Sequence, residues 1–262
     1  MNIEKADIAI INGTALTMNN SGEIIDNAIL LIDHEKIISV GKFEELNGKF
    51  IAEKTIDASG KLILPGFINA HTHAGMNVFR GFADDLPLQT WLYDYIFPLE
   101  GINMNAEMAQ LGTRLALAEM IRSGTTCFAD MYYFEDLVAG VCKEAGIRAM
   151  LCEGMVDFST PNCKTPEEGL QYTENLLVKY NDDELISIGV APHALYSCSK
   201  DLLKSAKKLA DKYNGYGFEK NYGYVTKKHR QAVQKRGFCK IHRKSYDFEK
   251  KFNLNVEIFL TF

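Results

Sequence analysis

The stretch LILPGFINAHTH, residues 62–73, is an apolar run that ends in two histidines separated by one residue. Side chains alternate across a strand, so a strand here directs His71 and His73 to the same side. Two neighbouring imidazoles can both bind one divalent ion, and zinc and iron(II) suit nitrogen ligands. We predict one divalent metal at this pair, zinc before iron. From the residues alone, the alternative is two strand-end histidines that form only hydrogen bonds.

Three further apolar runs follow this one, and predicted helices separate them. The runs lie at 125–133, 147–156 and 185–193, and the helices lie near 105–122, 134–145, 166–180 and 199–213. In the first helix, an apolar stripe at helical spacing predicts the packed face: Met108, Leu111, Leu115, Ala118 and Ile121. Strands that alternate with helices indicate βαβ units and a parallel sheet. The predicted fold class is α/β, a partial (β/α)8 barrel with the first four of eight units.

Residues 1–62 have a different pattern, in which short β-rich runs alternate with turn signals such as Asn12-Gly13. Several short strands spaced this closely predict a small antiparallel sheet.

Charge divides the chain near residue 214. Residues 1–214 hold 18 Lys+Arg and 30 Asp+Glu, a balance of −12, whereas residues 215–262 hold 11 and 4, a balance of +7. We interpret 215–262 as an atypical basic tail, the product of a truncated or frame-shifted gene.

The composition also excludes several classes of protein. The overall charge of −5 provides no basic surface for nucleic acid, and no apolar run approaches the ~20 residues of a membrane span. The start of the chain lacks the pattern of a secretion signal, and the six cysteines form no CxxC pair. These features predict a cytoplasmic protein with reduced thiols.

Three segments, DASGKLILPGFINAHTH, SGTTCFADMY and APHALYSCS, occur in the order found in the amidohydrolase superfamily. Residues 6–213 resemble the branch that contains 5-methylthioadenosine/S-adenosylhomocysteine deaminases and related chlorohydrolase-type enzymes. The resemblance implies a composite β-sandwich, with 1–62 as its N-terminal part, and a metal-bearing (β/α)8 barrel, with 63–214 as its first half. It also implies hydrolytic deamination of an adenosine-like nucleoside, the small-molecule partner, to an inosine-type product and ammonia.

The resemblance assigns roles to four residues. His71 and His73 match the first two metal ligands. Glu100, in FPLE, matches the acidic residue that contacts the substrate ribose, and a carboxylate accepts hydrogen bonds from a diol. The residues alone favour an exposed glutamate before a turn at Gly101. His193 matches a strand-four histidine that contacts substrate and, when uncharged, could orient a ring nitrogen; alternatively, it caps the following helix.

The chain departs from the family pattern in two places. The branch often has an arginine at the end of strand three, where this chain has Glu153, while Arg148 opens that strand. This argues against a substrate with a carboxylate, such as S-adenosylhomocysteine. The third metal histidine, the proton-handling glutamate and the strand-eight aspartate have no match after residue 214, since His229 and His242 lie among lysines and arginines. No catalytic residue is assigned, and the chain is predicted to be inactive.

Two other functions stay open. One is another amidohydrolase reaction, such as guanine or cytosine deamination or s-triazine dechlorination, although Glu100 with His193 favours a nucleoside. The other is a non-catalytic half-barrel that assembles with itself, as a homo-oligomer, or with a partner to cover its strand edges and apolar faces.

Overall fold

The computed structural model describes residues 3–212, so the tail 215–262, with His229 and His242, lies outside the described residues. Two compact units meet at the Gly66–Phe67 bond. The strands are β1 (Glu4–Leu16), β2 (Ile24–Asp33), β3 (Lys36–Lys42), β4 (Phe50–Asp57), β5 (Leu62–Ile63), β6 (Phe67–Thr72), β7 (Thr125–Tyr132), β8 (Arg148–Met155), β9 (Ile186–Ile188) and β10 (Ala191–Pro192).

Helices lie between some of these strands. The α-helices are α1 (Phe43–Leu46), α2 (Leu88–Thr90), α3 (Phe97–Asn103), α4 (Ala106–Arg122), α5 (Glu135–Ala145), α6 (Pro166–Lys179) and α7 (Lys200–Lys212). A 3-10 helix covers Ala74–Phe79, and a π-helix covers Trp91–Ile96. The four helices predicted from the hydrophobic periodicity correspond to α4, α5, α6 and α7.

The first unit is a mixed five-stranded sheet. β1 pairs antiparallel with β2, and β2 with β3, whereas β4 and β5 both pair with β1 in parallel. The prediction of an antiparallel sheet is therefore wrong for β4 and β5. The segment that contains α1 crosses over and returns the chain in the direction of β1, which a parallel pairing requires.

The predicted strand at 62–70 divides between the two units. β5 pairs with β1, and β6 begins the sheet of the second unit. Leu64, Pro65 and Gly66 lie between them outside any strand. Proline lacks the amide hydrogen that a strand ladder needs, so the ladder is interrupted here. His71 lies within β6 and His73 follows it directly.

The second unit contains a parallel sheet in the order β10-β8-β7-β6, with β9 also paired to β8. This confirms the predicted parallel α/β arrangement. The predicted strand at 185–193 is split into β9 and β10 by Gly189 and Val190. A Cβ on Gly189 would lie 2.6 Å from Cys152 Sγ, so a larger residue here would require the Cys152 side chain or the backbone to shift.

Helix α4 packs mainly through small residues, and Met108 is the member of the predicted apolar stripe that packs against a buried cluster. Leu111, Leu115 and Ile121 are 45–55% exposed, and the buried residues are Ala109, Gly112, Thr113, Ala116 and Leu117. A Cβ on Gly112 would lie 2.1 Å from the carbonyl oxygen of Gly75, so the helix approaches the 3-10 helix too closely for larger side chains. The backbone that follows His73 is thereby packed directly against α4.

The main core lies between the parallel sheet and its helices. It includes Phe128, Val138, Leu151 and Ile186, and burial of each such side chain contributes about 1.5–3 kcal/mol. Among residues 3–212, no helix combines the length and apolar character that a bilayer crossing requires.

Candidate functional site

The candidate site lies where the parallel strands end. Because parallel strands place their carboxyl ends at one edge of a sheet, the side chains that follow β6, β7 and β10 converge there. His71 and His73 come from β6, Tyr132 from β7, and His193 follows β10.

The two histidines of β6 have the geometry of a metal-binding pair. Their ring centroids lie 5.0 Å apart, and the ring planes are 79° apart. Nδ1 of His73 lies 2.6 Å from the carbonyl oxygen of Met131. A carbonyl only accepts hydrogen bonds, so Nδ1 carries the hydrogen and Nε2 has the free lone pair. This is how metal-binding histidines are usually oriented, and the pair therefore fits two ligands of a zinc ion.

Asp130 holds the backbone on both sides of His73 through hydrogen bonds. Its Oδ1 accepts hydrogen bonds from the Thr72 hydroxyl, at 2.7 Å, and from the Ala74 amide, at 2.9 Å. These donors lie on either side of His73, so the contact fixes the backbone that carries the imidazole. Asp130 is only 2% exposed, and burial raises its pKa. Asp130 was not among the predicted site residues, although an acidic residue inside the apolar run 125–133 is a usable signal.

The described residues provide no third ligand close to the pair. Among residues 3–212, Asp7, Asp33 and His34 are the only potential ligands that form a group of three with all ligand atoms within 4.8 Å of one another. That group belongs to the first unit. His71 and His73 line an open cleft of ≈ 690 Å³ in the second unit.

Glu100 is buried, which contradicts the expectation of an exposed glutamate before a turn. It lies inside α3, which continues through Gly101, and it is 4% exposed. The Tyr132 hydroxyl donates to Glu100 Oε1 at 2.6 Å. Burial raises the pKa of Glu100 to about 7, and hydrogen bonds from Tyr132 and Tyr133 oppose that rise. The Tyr132 ring also lies 6.3 Å from the His73 ring, so Tyr132 lies between Glu100 and the histidine pair.

His193 is half-buried among aromatic rings. Its ring centroid lies 6.2 Å from that of Phe97 and 5.8 Å from that of Tyr196, and both rings are nearly perpendicular to it. Burial is the main cause that lowers its pKa, and repulsion between the two imidazoles, were both protonated, adds to this effect. The imidazole is therefore uncharged at neutral pH. It does not cap α7, since the first-turn amide of Leu202 donates to the Ser199 hydroxyl.

Glu153 caps a helix, and both of its carboxylate oxygens accept hydrogen bonds. It is therefore not a free charge at the strand ends. It accepts hydrogen bonds from the first amide of α5, at Glu135, and from the Asn162 side chain, at 3.2 and 2.9 Å. Burial raises its pKa to about 8. Arg148 is the first residue of β8, so it lies at the opposite end of that strand.

A family model described as "Amidohydrolase family" matches residues 62–217, more than half of the chain. The chain belongs to the amidohydrolase family. The match includes His71, His73, Glu100 and His193, and it extends over the whole of the second unit's described sheet.

Named relatives come from the same family. The chain is 46% identical over 211 residues to 5-methylthioadenosine/S-adenosylhomocysteine deaminase 1 of Syntrophus aciditrophicus, an alignment of 80% of this chain and 48% of the relative. It is 41% identical over 207 residues to the 5′-deoxyadenosine deaminase of Methanococcoides burtonii, which covers 78% and 46%. The chain thus spans about half the length of the curated relatives it matches.

A solved structure of a deaminase is also similar to this chain. The adenosine deaminase of Xanthomonas campestris, crystallised with bound zinc, superposes with a TM-score of 0.77 at 29% identity. The superposition covers 91% of this chain and 54% of that protein.

Proposed function

We propose that the chain supplies the first half of a metal-dependent hydrolytic deaminase for adenosine-like nucleosides. One observation carries the proposal: the metal-type histidine pair, Glu100 and His193 are joined through Tyr132 and Phe97 at one edge of the sheet. The names of the relatives, which are deaminases of methylthioadenosine and deoxyadenosine, support an adenosine-like substrate.

The domain organisation is part of the proposal. Residues 1–66, which include β5, form the N-terminal part of a β-sandwich. The first half of a (β/α)8 barrel extends to residue 214 and begins at Phe67 and not at residue 63, since β5 pairs with β1. The first four barrel strands are then β6, β7, β8 and the interrupted pair β9 and β10. Residues 215–262 are a basic stretch of sequence outside the described residues. The length of the relatives, about twice the matched region, supports this division.

His71 and His73 would hold the divalent ion. When bound, the ion supplies Lewis acidity and lowers the pKa of a water molecule, which hydrolytic attack on an amidine carbon needs. The lone pair on His73 Nε2 supports this role, since Met131 already engages the other nitrogen.

Glu100 and His193 would bind the nucleoside. His193, uncharged and fixed between Phe97 and Tyr196, would contact the base. Glu100 would accept a hydrogen bond from a ribose hydroxyl, in competition with the hydroxyls of Tyr132 and Tyr133. The ribose contact therefore requires a small movement of α3 or of these tyrosines.

The 5′ group of the preferred substrate would carry no charge. Glu153 is a buried acid with a raised pKa, and Arg148 lies at the other end of β8. A carboxylate at this edge would find no cation from either residue. We therefore expect 5′-methylthioadenosine and 5′-deoxyadenosine to be better substrates than S-adenosylhomocysteine.

The 262-residue chain by itself would have little activity. Two histidines bind zinc more weakly than the three or four ligands of working sites. Loss of a proton-moving carboxylate costs a further ~10²–10⁴ in rate.

A hybrid enzyme tests this proposal. Residues 1–212 are fused to the second half of the Syntrophus aciditrophicus relative, and ammonia release is measured from 5′-methylthioadenosine, S-adenosylhomocysteine, guanine, cytosine and an s-triazine. We expect activity on methylthioadenosine, abolished by His73→Ala, and none above background from the 262-residue chain. A hybrid that prefers guanine, cytosine or the triazine would contradict the nucleoside assignment.

Self-assembly is the second candidate function. Phe67 and Ile68 are largely exposed on β6, as are Leu111 and Leu115 on α4, and within residues 3–212 β6 pairs only with β7. An apolar surface of this kind favours a second copy of the chain as its cover. Sedimentation of the wild type against Leu115→Lys tests this, since a monomer in both cases contradicts it.

A further inference from the structure

We propose that Ser197 is a positioning residue that sets the tautomer of His193, so that Nδ1 carries the hydrogen and Nε2 is an open hydrogen-bond acceptor. The tautomer of an imidazole is fixed by the partner of its engaged nitrogen. Here that partner is a side chain, and it can be changed by mutation.

The contact is short and shielded from water. Nδ1 of His193 lies 2.7 Å from Ser197 Oγ, and Ser197 is only 5% exposed. The rings of Phe97 and Tyr196 stand at 74° and 87° to the imidazole and limit its rotation. Water therefore competes poorly with the hydroxyl for Nδ1.

A count of hydrogens decides the direction of this hydrogen bond. The Ser197 hydroxyl has one hydrogen and also lies 3.3 Å from the Ala194 carbonyl oxygen, which only accepts. If the hydroxyl donates to Ala194, its oxygen accepts Nδ1–H and both contacts become hydrogen bonds. If it donates to Nδ1, only one does. The nearby Cys198 thiol is engaged with the Met155 carbonyl at 3.2 Å and does not replace the serine.

This arrangement determines which ligand group His193 can recognise. An Nε2 acceptor pairs with a donor, such as the exocyclic amino group of an adenine or a ribose hydroxyl. It does not pair with a purine ring nitrogen, which is itself an acceptor. The identity of this ligand rests on the proposed function, whereas the tautomer does not.

The position of Ser197 is independent of its hydroxyl. Its amide donates to the Ala194 carbonyl at 3.2 Å, and its own carbonyl accepts from the Asp157 amide at 3.0 Å. Ser197→Ala should therefore keep the backbone in place and remove only the contact to the imidazole.

Nitrogen NMR of the imidazoles tests the tautomer in the full 262-residue chain. Spectra are recorded at pH 8 on ¹⁵N-histidine-labelled wild type, Ser197→Ala, Ser197→Thr and the control Ser187→Ala, whose hydroxyl donates to the Ala149 carbonyl at 3.4 Å. The His193 signal is assigned by its loss in His193→Gln. We expect Nδ1–H in the wild type, a shift toward a mixture in Ser197→Ala, and recovery in Ser197→Thr. An Nε2–H wild type, or an unchanged signal in Ser197→Ala, overturns the proposal.

A binding measurement separates this proposal from the proposed function. Calorimetry compares adenosine with purine riboside, which lacks the amino group, on the wild type and Ser197→Ala. Loss of one neutral hydrogen bond is expected to weaken adenosine binding about tenfold in the variant. If the tautomer is as proposed and neither ligand binds the wild type, the nucleoside assignment fails while the role of Ser197 stands.

Discussion

His73 and His193 are both strand-end imidazoles with an engaged Nδ1, but their partners differ. His73 donates to a backbone carbonyl of β7, whereas His193 contacts the hydroxyl of Ser197. The pairing of β6 with β7 places the first partner, so any sequence that keeps the sheet keeps it. The second depends on one side chain. The proposed metal end of the site is therefore fixed by the fold, and the proposed ligand end is fixed by replaceable residues.

The surroundings of the two histidines differ in the same way. Behind His73 lie Asp130 and then Glu135, both buried. Around His193 lie the rings of Phe97 and Tyr196, the latter 46% exposed. Changes behind His73 should therefore affect stability and metal binding together, while changes around His193 should affect ligand binding alone.

The largest effect on stability is expected from Gly112→Ala, which disrupts the packing of α4 against the backbone that follows His73. The added Cβ would lie 2.1 Å from the Gly75 carbonyl oxygen, and backbone cannot move aside as a side chain can. We expect a loss of about 4 kcal/mol in unfolding free energy, above the usual cost of overpacking. The control is Gly140→Ala in α5, where no atom lies within 4 Å of the new Cβ. Urea denaturation should show this control gaining about 0.5–1 kcal/mol.

The next effect is a pH dependence of stability caused by Glu100. Its folded pKa is raised to about 7 from 4.5, so the native state holds a proton that the unfolded state releases between these values. Stability therefore falls as pH rises from 4.5 to 7 and levels off above that, by about 3 kcal/mol from this group. Glu100→Gln should remove this part of the slope in denaturation curves from pH 4 to 8. An unchanged slope in the variant would mean that Glu100 is ionised throughout.

A smaller effect, on zinc affinity, is expected from substitutions of Asp130, which packs next to His73. Asp130→Ala removes the acceptor of the Ala74 amide and one of the two acceptors of the Thr72 hydroxyl, which also contacts the Ala129 carbonyl. It should lower zinc affinity about 10-fold or more, as loss of a residue behind a metal ligand usually does. Asp130→Asn keeps an oxygen at the same place and should stay near the wild type. Calorimetric zinc titration measures both. Equal affinities in all three proteins would show that Asp130 does not position His73.

The smallest effect is expected on the outer face of α4. Leu115→Ala should change the unfolding free energy by less than about 0.5 kcal/mol, because the side chain is 45% exposed. Leu117→Ala, on the buried face, is the matched control and should cost about 2–5 kcal/mol. Similar losses in both variants would contradict the packing of α4 through its small residues.

Much of the second unit could be predicted from sequence. Strands 125–133 and 147–156 and the helices α4 to α7 follow from hydrophobic period, and His71 and His73 follow from strand alternation. The packed face of α4 could not be predicted, because the contact of Gly112 with Gly75 joins residues 37 positions apart and no periodicity records it.

The burial of Glu100 could not be predicted either. It depends on Tyr132, which is 32 residues away and reaches it only after β7 pairs with β6. Parallel pairing of β4 with β1 was missed for a related reason, since short strands and turns do not reveal a crossover.

A zinc titration tests the central assignment most directly. Calorimetry on the 262-residue chain compares the wild type with His71→Ala, His73→Ala and the control His34→Ala, which removes a ligand from the competing group of Asp7, Asp33 and His34. We expect one zinc per chain, weaker than in sites with three or four ligands, lost in both variants of the β6 pair and kept in His34→Ala. Binding that survives His71→Ala and His73→Ala but disappears in His34→Ala would contradict the metal site at β6.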